Sequence, residues 1–178
     1  MARPPLTLVT GRPGSGKTTL ARLIAELVGG PIVSRDAIME GHRRTSEHGV
    51  VLADPPALHV NDVFFATVEA LLAQRVAVIA EAAFQDRVWA PRLARLVEVA
   101  DVRVVLCQCD AETARLRCVA RFESHPEVRR YHEADASVFG TGPFEPIARD
   151  LPTLVVDTSE GYAPGLPEIA AFVRAAPV

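Results

Sequence analysis

The stretch Leu6-Thr7-Leu8-Val9-Thr10-Gly11-Arg12-Pro13-Gly14-Ser15-Gly16-Lys17-Thr18-Thr19 decides how the rest of this chain is read. Its apolar start reads as a buried strand, Gly11 to Thr18 fills the pattern GxxxxGK[ST], and an amphipathic stretch follows. Strand, glycine-rich loop and helix in that order are what a phosphate-binding loop requires. Gly11, Gly14 and Gly16 allow backbone conformations that a Cβ obstructs, so that the N–H groups of Pro13's successors, Ser15 among them, converge on a polyphosphate. A helix beginning near Gly16 adds its free N–H groups and the positive end of its dipole. Lys17, the one lysine of the chain, then reaches the β- and γ-phosphates, and the Thr18 hydroxyl ligates Mg²⁺. Thr19 is a further candidate, for the α-phosphate. The competing reading is a glycine-rich turn with a chance lysine, which the strand-loop-helix context opposes.

Length and composition set the frame. A chain of 178 residues, 49% apolar, suits a single domain spanning 1–178 with a sizeable core. A net charge of −3 gives no overall pull toward nucleic acid or an anionic membrane. With no apolar run of about 20 residues and no signal-peptide layout at the start, a soluble cytoplasmic protein is expected. Cys107, Cys109 and Cys118 are too few for a disulfide framework, and Cys107-Gln108-Cys109 lacks the second cluster a metal clip needs. They read as small buried hydrophobes, and no structural metal is expected.

Apolar spacing predicts the remaining elements. Leu20, Leu23, Ile24 and Leu27 mark one face of the first helix, which Gly29-Gly30-Pro31 ends before a short strand at Ile32-Val33. A helix from Asp36 to about Gly41, a mobile loop from Thr45 to Pro56, and a helix from Asn61 to Gln74 follow. The run Val76 to Ala80 reads as a fully buried parallel strand closed by Glu81. Beyond it come a helix near 87–98, a strand from Val102 to Cys107, a helix from Ala111 to Phe122, a last strand at Thr153 to Asp157, and a closing helix carrying Ile169, Phe172 and Val173. Alternating strands and helices predict an α/β fold, a parallel sheet covered on both faces, whose ligands bind at the carboxyl ends of the strands.

Residues just after strands are therefore the candidates for chemistry. Asp36 is placed to accept the proton of an attacking hydroxyl, or else to cap the helix beginning at Ala37. Glu81 is placed to hold a Mg²⁺-bound water or a substrate hydroxyl, or to be a solvated strand-end carboxylate, with Asp86 as a substitute. Arg117 and Arg121, four apart on one helix, share a face, and forked guanidinium groups suit a transferring phosphoryl group. Arg129 and Arg130 follow His125-Pro126 in a polar segment able to fold over the nucleotide. Arg35, Arg43 and Glu81, together with Asp36 and Arg129, make up the expected acceptor site. His42, Arg44, His59, Asn61 and Asp62 are weaker candidates near it, Trp89 reads as core, and Asp157-Thr158-Ser159 as a border of the adenine.

Taken together, GRPGSGKTT, SRDAI, VIAEAAF, the RCVAR pair and the terminal VVDTSEGYAP resemble the P-loop kinases of the nucleotide-kinase-like group. The resemblance is to the AAA_33 and zeta-toxin-like small kinases, which include chloramphenicol phosphotransferase and the kinase domain of polynucleotide kinase, and it spans nearly the full chain. It implies a five-stranded sheet of order 2-3-1-4-5 and a helical lid at about 115–135. It also implies Asp36 as the base, Arg117 beside the adenine and Arg121 on the transferring phosphate. Polynucleotide kinases carry an arginine three positions after that aspartate, where this chain has Met39.

The leading expectation is an ATP- and Mg²⁺-dependent kinase, with Lys17, Asp36 and Arg121 catalytic and a small-molecule hydroxyl as acceptor. A polynucleotide 5′-hydroxyl as acceptor is an alternative, which predicts an electropositive channel at Arg35, Arg43 and Arg44. A nucleotide-dependent switch or NTPase that binds a partner protein is another.

Overall fold

The computed structural model describes residues 2–47, 56–124 and 143–175. Its elements are β1 (Pro5–Gly11), α1 (Lys17–Val28), β2 (Ile32–Ser34), α2 (Arg35–Glu47), α3 (Pro56–Ala73) and β3 (Val78–Glu81). After them come α4 (Asp86–Val99), β4 (Asp101–Gln108), α5 (Ala111–Ser124), β5 (Thr153–Asp157) and α6 (Leu166–Arg174). The five strands form one parallel sheet in the order β2-β3-β1-β4-β5, which is the expected topology of the P-loop α/β fold. Each strand-helix-strand passage carries its helix across one face, so both faces are covered.

Alternation along the strands assigns side chains to two cores. Leu6 and Leu8 of β1 point into a core with Phe64, Phe65 and Val68 of α3 and Trp89, Leu93 and Leu96 of α4. Val9 points the other way, among Leu20, Ala21 and Ile24 of α1, Ile79, Val105, Val156 and the α6 residues Ile169 and Val173. Phe64, Phe65, Phe84 and Trp89 pack mostly edge to face, with ring centroids 5.2–6.0 Å apart. Trp89 is core, as its spacing from Leu93 and Leu96 suggests.

Several boundaries differ from the pattern-based reading, each for a local reason. The α2 helix starts at Arg35 and runs through Gly41 to Glu47, because Gly41 is exposed and a glycine weakens such a helix by only about 1 kcal/mol. The Thr45 hydroxyl also bonds back to the Gly41 carbonyl. Positions 45–47 of the expected loop are thus helical, and 48–55 lie outside the described residues. The α3 helix begins at Pro56, not Asn61, since proline's fixed φ suits a first helical position. β3 begins at Val78, not Val76, because Arg75 turns out of α3 at φ 60° and the Val76 N–H still donates to Leu71. Leu27, expected on the buried face of α1, is 40% exposed.

The register brings the catalytically interesting strand ends to one edge. Ser34 lies opposite Glu81, Val9 opposite Glu81 on the other side, Gly11 opposite Cys107, and Gln108 opposite Asp157. Among the described residues, no helix is long and apolar enough to cross a membrane.

The aromatic cluster beneath this edge carries a testable load. Phe64 is fully buried against three rings. Phe64→Ala is expected to lower unfolding free energy by about 3–5 kcal/mol in urea titrations. A loss below about 1 kcal/mol would show that the cluster does not hold α3 and α4 together.

Candidate functional site

The loop between β1 and α1 has the backbone of an anion cradle. Gly14 and Gly16 both sit at φ 79°, in the left-handed region. A Cβ on Gly14 would lie 2.2 Å from the Ala114 carbonyl oxygen, and one on Gly11 would lie 2.6 Å from Ser15 Oγ. Gly16 is the N-cap of α1 and supplies no side-chain acceptor, so the amides of Lys17, Thr18 and Thr19 open the helix without a capping side chain. Ser15 Oγ is buried with no hydrogen-bond partner among the described residues. Glycines that let the loop pack directly on the Ala114 and Cys107 carbonyls, uncapped amides and an orphaned hydroxyl all fit a bound phosphate.

Beside the cradle lies a buried carboxylate. Glu81 is 1% exposed, and Thr18 Oγ1 donates to its Oε1 at 3.2 Å, with Lys17 Nζ 3.8 Å from the same oxygen. Ser34 Oγ donates to Oε2 at 2.7 Å. Glu81 is therefore not the solvated strand-end group that was one reading of it. A hard dication held mainly by phosphates needs only one or two protein oxygens. Thr18 Oγ1 and the Glu81 carboxylate are such a set, and they fit Mg²⁺.

The α2 helix overturns the alternative role for Asp36. The helix begins at Arg35, and the Ala37 N–H donates to Ser34 Oγ at 3.4 Å, which makes Ser34 the cap. Asp36 instead sits in the first turn with its carboxylate a quarter exposed, and Arg35 Nη1 donates to its Oδ1 at 3.2 Å. Arg35 is further tied to Met39 Sδ at 3.2 Å and Asn61 Oδ1 at 3.5 Å. A cleft of about 270 Å³ opens between these groups, lined by Thr18, Arg22, Asp36, Glu40, Glu81 and Arg121 among others. Across it Arg121 Nη2 is 3.5 Å from Glu40 Oε1. Four residues expected to act together, Thr18, Asp36, Glu81 and Arg121, thus share one cavity.

A second cleft, of about 290 Å³, lies on the other side of the α1 N-terminus, lined by Gly16, Thr19, Arg117, Thr158, Gly161 and Tyr162. Arg117 Nη2 donates to the carbonyls of Thr158 and Ser159 at 2.7 and 2.8 Å. The Thr158 hydroxyl lies 2.8 Å from the Ser15 carbonyl, tying this wall to the loop. Asp157 accepts from the Ser159 N–H at 2.8 Å, which holds its carboxyl below the ordinary value. A larger cleft, about 460 Å³, is lined by Arg12, Cys109, Asp110, Phe144 and their neighbours, and touches none of Lys17, Thr18, Asp36 or Glu81.

Other expected residues are not brought together. Arg43 is half-buried on α2 and does not line the cleft that holds Asp36 and Glu81. Asp62 is exposed and pairs with Arg92, and Asp86 accepts from the Ala148 N–H. Arg129, Arg130 and His125-Pro126 lie outside the described residues, as does the lid beyond Ser124. Pattern reading missed Glu40, although its spacing of four from Asp36 puts both on one helix face. It also missed Arg22, for which the sequence carries no signal, and held Tyr162 only as part of the terminal VVDTSEGYAP stretch.

The cysteines are free. Burial pushes the Cys107 thiol up to about 12, with the Lys17 charge opposing and Glu81 and Cys109 reinforcing, and burial also raises Cys118. Burial disfavours the thiolate, so the folded chain keeps a proton that the unfolded chain releases above its ordinary value of 9.0. This contribution to stability is whole below 9.0 and falls as pH rises toward 12.

With the geometry in place, comparison with known proteins adds the lineage. The family profile AAA_33, described as an AAA domain, matches residues 6–140. Over 53 residues, 30% of this chain, the sequence is 47% identical to Uncharacterized protein Rv2004c of Mycobacterium tuberculosis, and that stretch spans only 10% of the relative's length. A structure from Chloroflexus aurantiacus assigned as a kinase superposes with TM-score 0.79 at 23% identity, covering 97% of each chain. A sugar kinase from Janibacter sp. HTCC2649 superposes with TM-score 0.66 at 19% identity, covering 98% of this chain and 96% of that one. At such identities the likeness establishes the fold alone.

Near pH 9.0, alkylation of the native protein is expected to label half-buried Cys109 and to spare Cys107 and Cys118. Peptide mass spectrometry reads the result. Labelling of Cys107 as fast as Cys109 would contradict its burial.

Proposed function

The chain belongs to the AAA_33 family, and on that premise we propose that it is an ATP-dependent kinase transferring the γ-phosphoryl group to a hydroxyl of a small molecule. The observation that carries the reading is the single cleft shared by Thr18, Asp36, Glu81 and Arg121 beside the phosphate cradle.

In this reading the loop amides and Lys17 bind the triphosphate, while the base rests against Arg117 and the Thr158–Tyr162 segment. Asp36 accepts the proton of the acceptor hydroxyl as its oxygen bonds to the γ-phosphorus. The bond from that phosphorus to the bridging oxygen breaks, and ADP leaves with the electron pair. Thr18 and Glu81 would hold Mg²⁺, which would supply neutralisation of the triphosphate charge. Arg121 exchanges Glu40 for the transferring phosphoryl oxygens, and closure of α5 excludes water. Positioning and charge stabilisation account for the acceleration.

A small-molecule acceptor is favoured over a polynucleotide because Arg35 is engaged by Asp36, Met39 and Asn61. Met39 itself is buried, 6% exposed, so the position where polynucleotide kinases carry an arginine faces the protein. A need for ATP as donor suits a cytoplasmic setting.

A panel of sugars, nucleosides and other hydroxyl compounds, incubated with ATP and Mg²⁺, tests the reading. Mass spectrometry is expected to find one phosphorylated class, whereas ADP release that no acceptor accelerates would sink it. Lys17→Ala should slow transfer about 10²–10³-fold. Asp36→Asn should slow it about 10²–10⁴-fold while ATP affinity, read by calorimetry, is retained. Near-normal turnover of either variant removes that residue from the mechanism.

A further inference from the structure

Ser34 is the last residue of β2 and the register partner of Glu81, the last residue of β3. Side by side on parallel strands, the two side chains meet at 2.7 Å, with the hydroxyl donating to Oε2. The other carboxylate oxygen faces Thr18 and Lys17. The same Ser34 oxygen accepts the Ala37 N–H, one residue beyond Asp36. One hydroxyl therefore touches the carboxylate assigned to the metal and the helix turn that carries the assigned base.

Resting on the kinase reading above, we infer that Ser34 is a positioning residue that orients Glu81 for Mg²⁺ and fixes Asp36 relative to it. The argument is one of orientation. Thr18 has a single hydroxyl proton and gives it to Glu81. Ligating a metal through a lone pair leaves that proton in place, still aimed at Oε1. With Thr18 on Oε1 and Ser34 on Oε2 the carboxylate is held at both oxygens, and Ser34 is the one of the two hydroxyls that is not itself assigned to the metal. A buried carboxylate with a free torsion would present its oxygens to the metal only part of the time. Outer partners that hold a ligand in place are commonly worth 10–100-fold in metal affinity. The cap adds a second consequence, because a helix start released from Ser34 frays at the turn bearing Asp36.

The test measures binding, separately from turnover. Calorimetry with AMPPNP, with and without MgCl₂, gives the factor by which Mg²⁺ tightens the nucleotide. Ser34→Ala is expected to shrink that factor about 10-fold or more, to leave metal-free AMPPNP affinity unchanged, and to be rescued by Ser34→Thr, which keeps the hydroxyl. Ser34→Cys, nearly isosteric but a poor donor, serves if the alanine variant does not fold, with the same expectation. An unchanged Mg²⁺ factor overturns the inference, and so does an equal loss with and without metal, since that marks a merely structural role. Wild-type protein that binds AMPPNP equally with and without Mg²⁺ overturns the inference alone, whereas wild-type protein that binds no AMPPNP at all removes the kinase reading itself, and the role of Ser34 with it.

Discussion

A carboxylate closed off from water at the end of a central strand is the constraint around which this protein is arranged. Moving such a charge out of water costs several kcal/mol unless partners replace the solvent. Glu81 has three within reach, Ser34, Thr18 and Lys17, drawn from β2 and the first turn of α1. Those partners meet only if β2 pairs with β3 in the observed register and the glycine loop folds tightly onto the strand ends. The ion pair is thus less a source of net stability than a demand that one arrangement be adopted.

Close approach of backbone to backbone meets that demand on the other side of the loop. Gly14 lies against the first turn of α5, where a side chain would collide with the Ala114 carbonyl. Thr158, after β5, reaches the Ser15 carbonyl. The loop is consequently gripped by α5 and the β5 exit, the same segments that wall the cleft beside Arg117. Clefts of about 270 and 290 Å³ flank the start of α1 on its two sides.

Much of this was legible in the sequence where a pattern has a single physical meaning. The glycine loop and the buried strands belong here, as does the gathering of Thr18, Asp36, Glu81 and Arg121 around one cleft, because strand ends in a parallel sheet point to one edge; the strand order was implied by the family resemblance. What stayed illegible depends on neighbours distant in the chain. Whether Glu81 is solvated or buried is decided by Ser34, 47 positions away. Whether Asp36 caps its helix is decided by where α2 begins, and a start at Arg35 hands the cap to Ser34. Arg35 is pinned to α3 through Asn61, 26 positions away, which its place in the sequence does not announce. Glu40 was within reach of helical spacing alone, but its partner on α5 was not.

The most direct measurement is a crystal structure with AMPPNP and Mn²⁺, whose anomalous signal locates the metal independently of the nucleotide. The account predicts β- and γ-phosphates against the amides from Gly14 to Thr19 and a metal peak beside Thr18 Oγ1, on the Glu81 side. Nucleotide density in the cleft lined by Arg12, Cys109 and Phe144, with the glycine loop bare and no metal near Thr18, would contradict it.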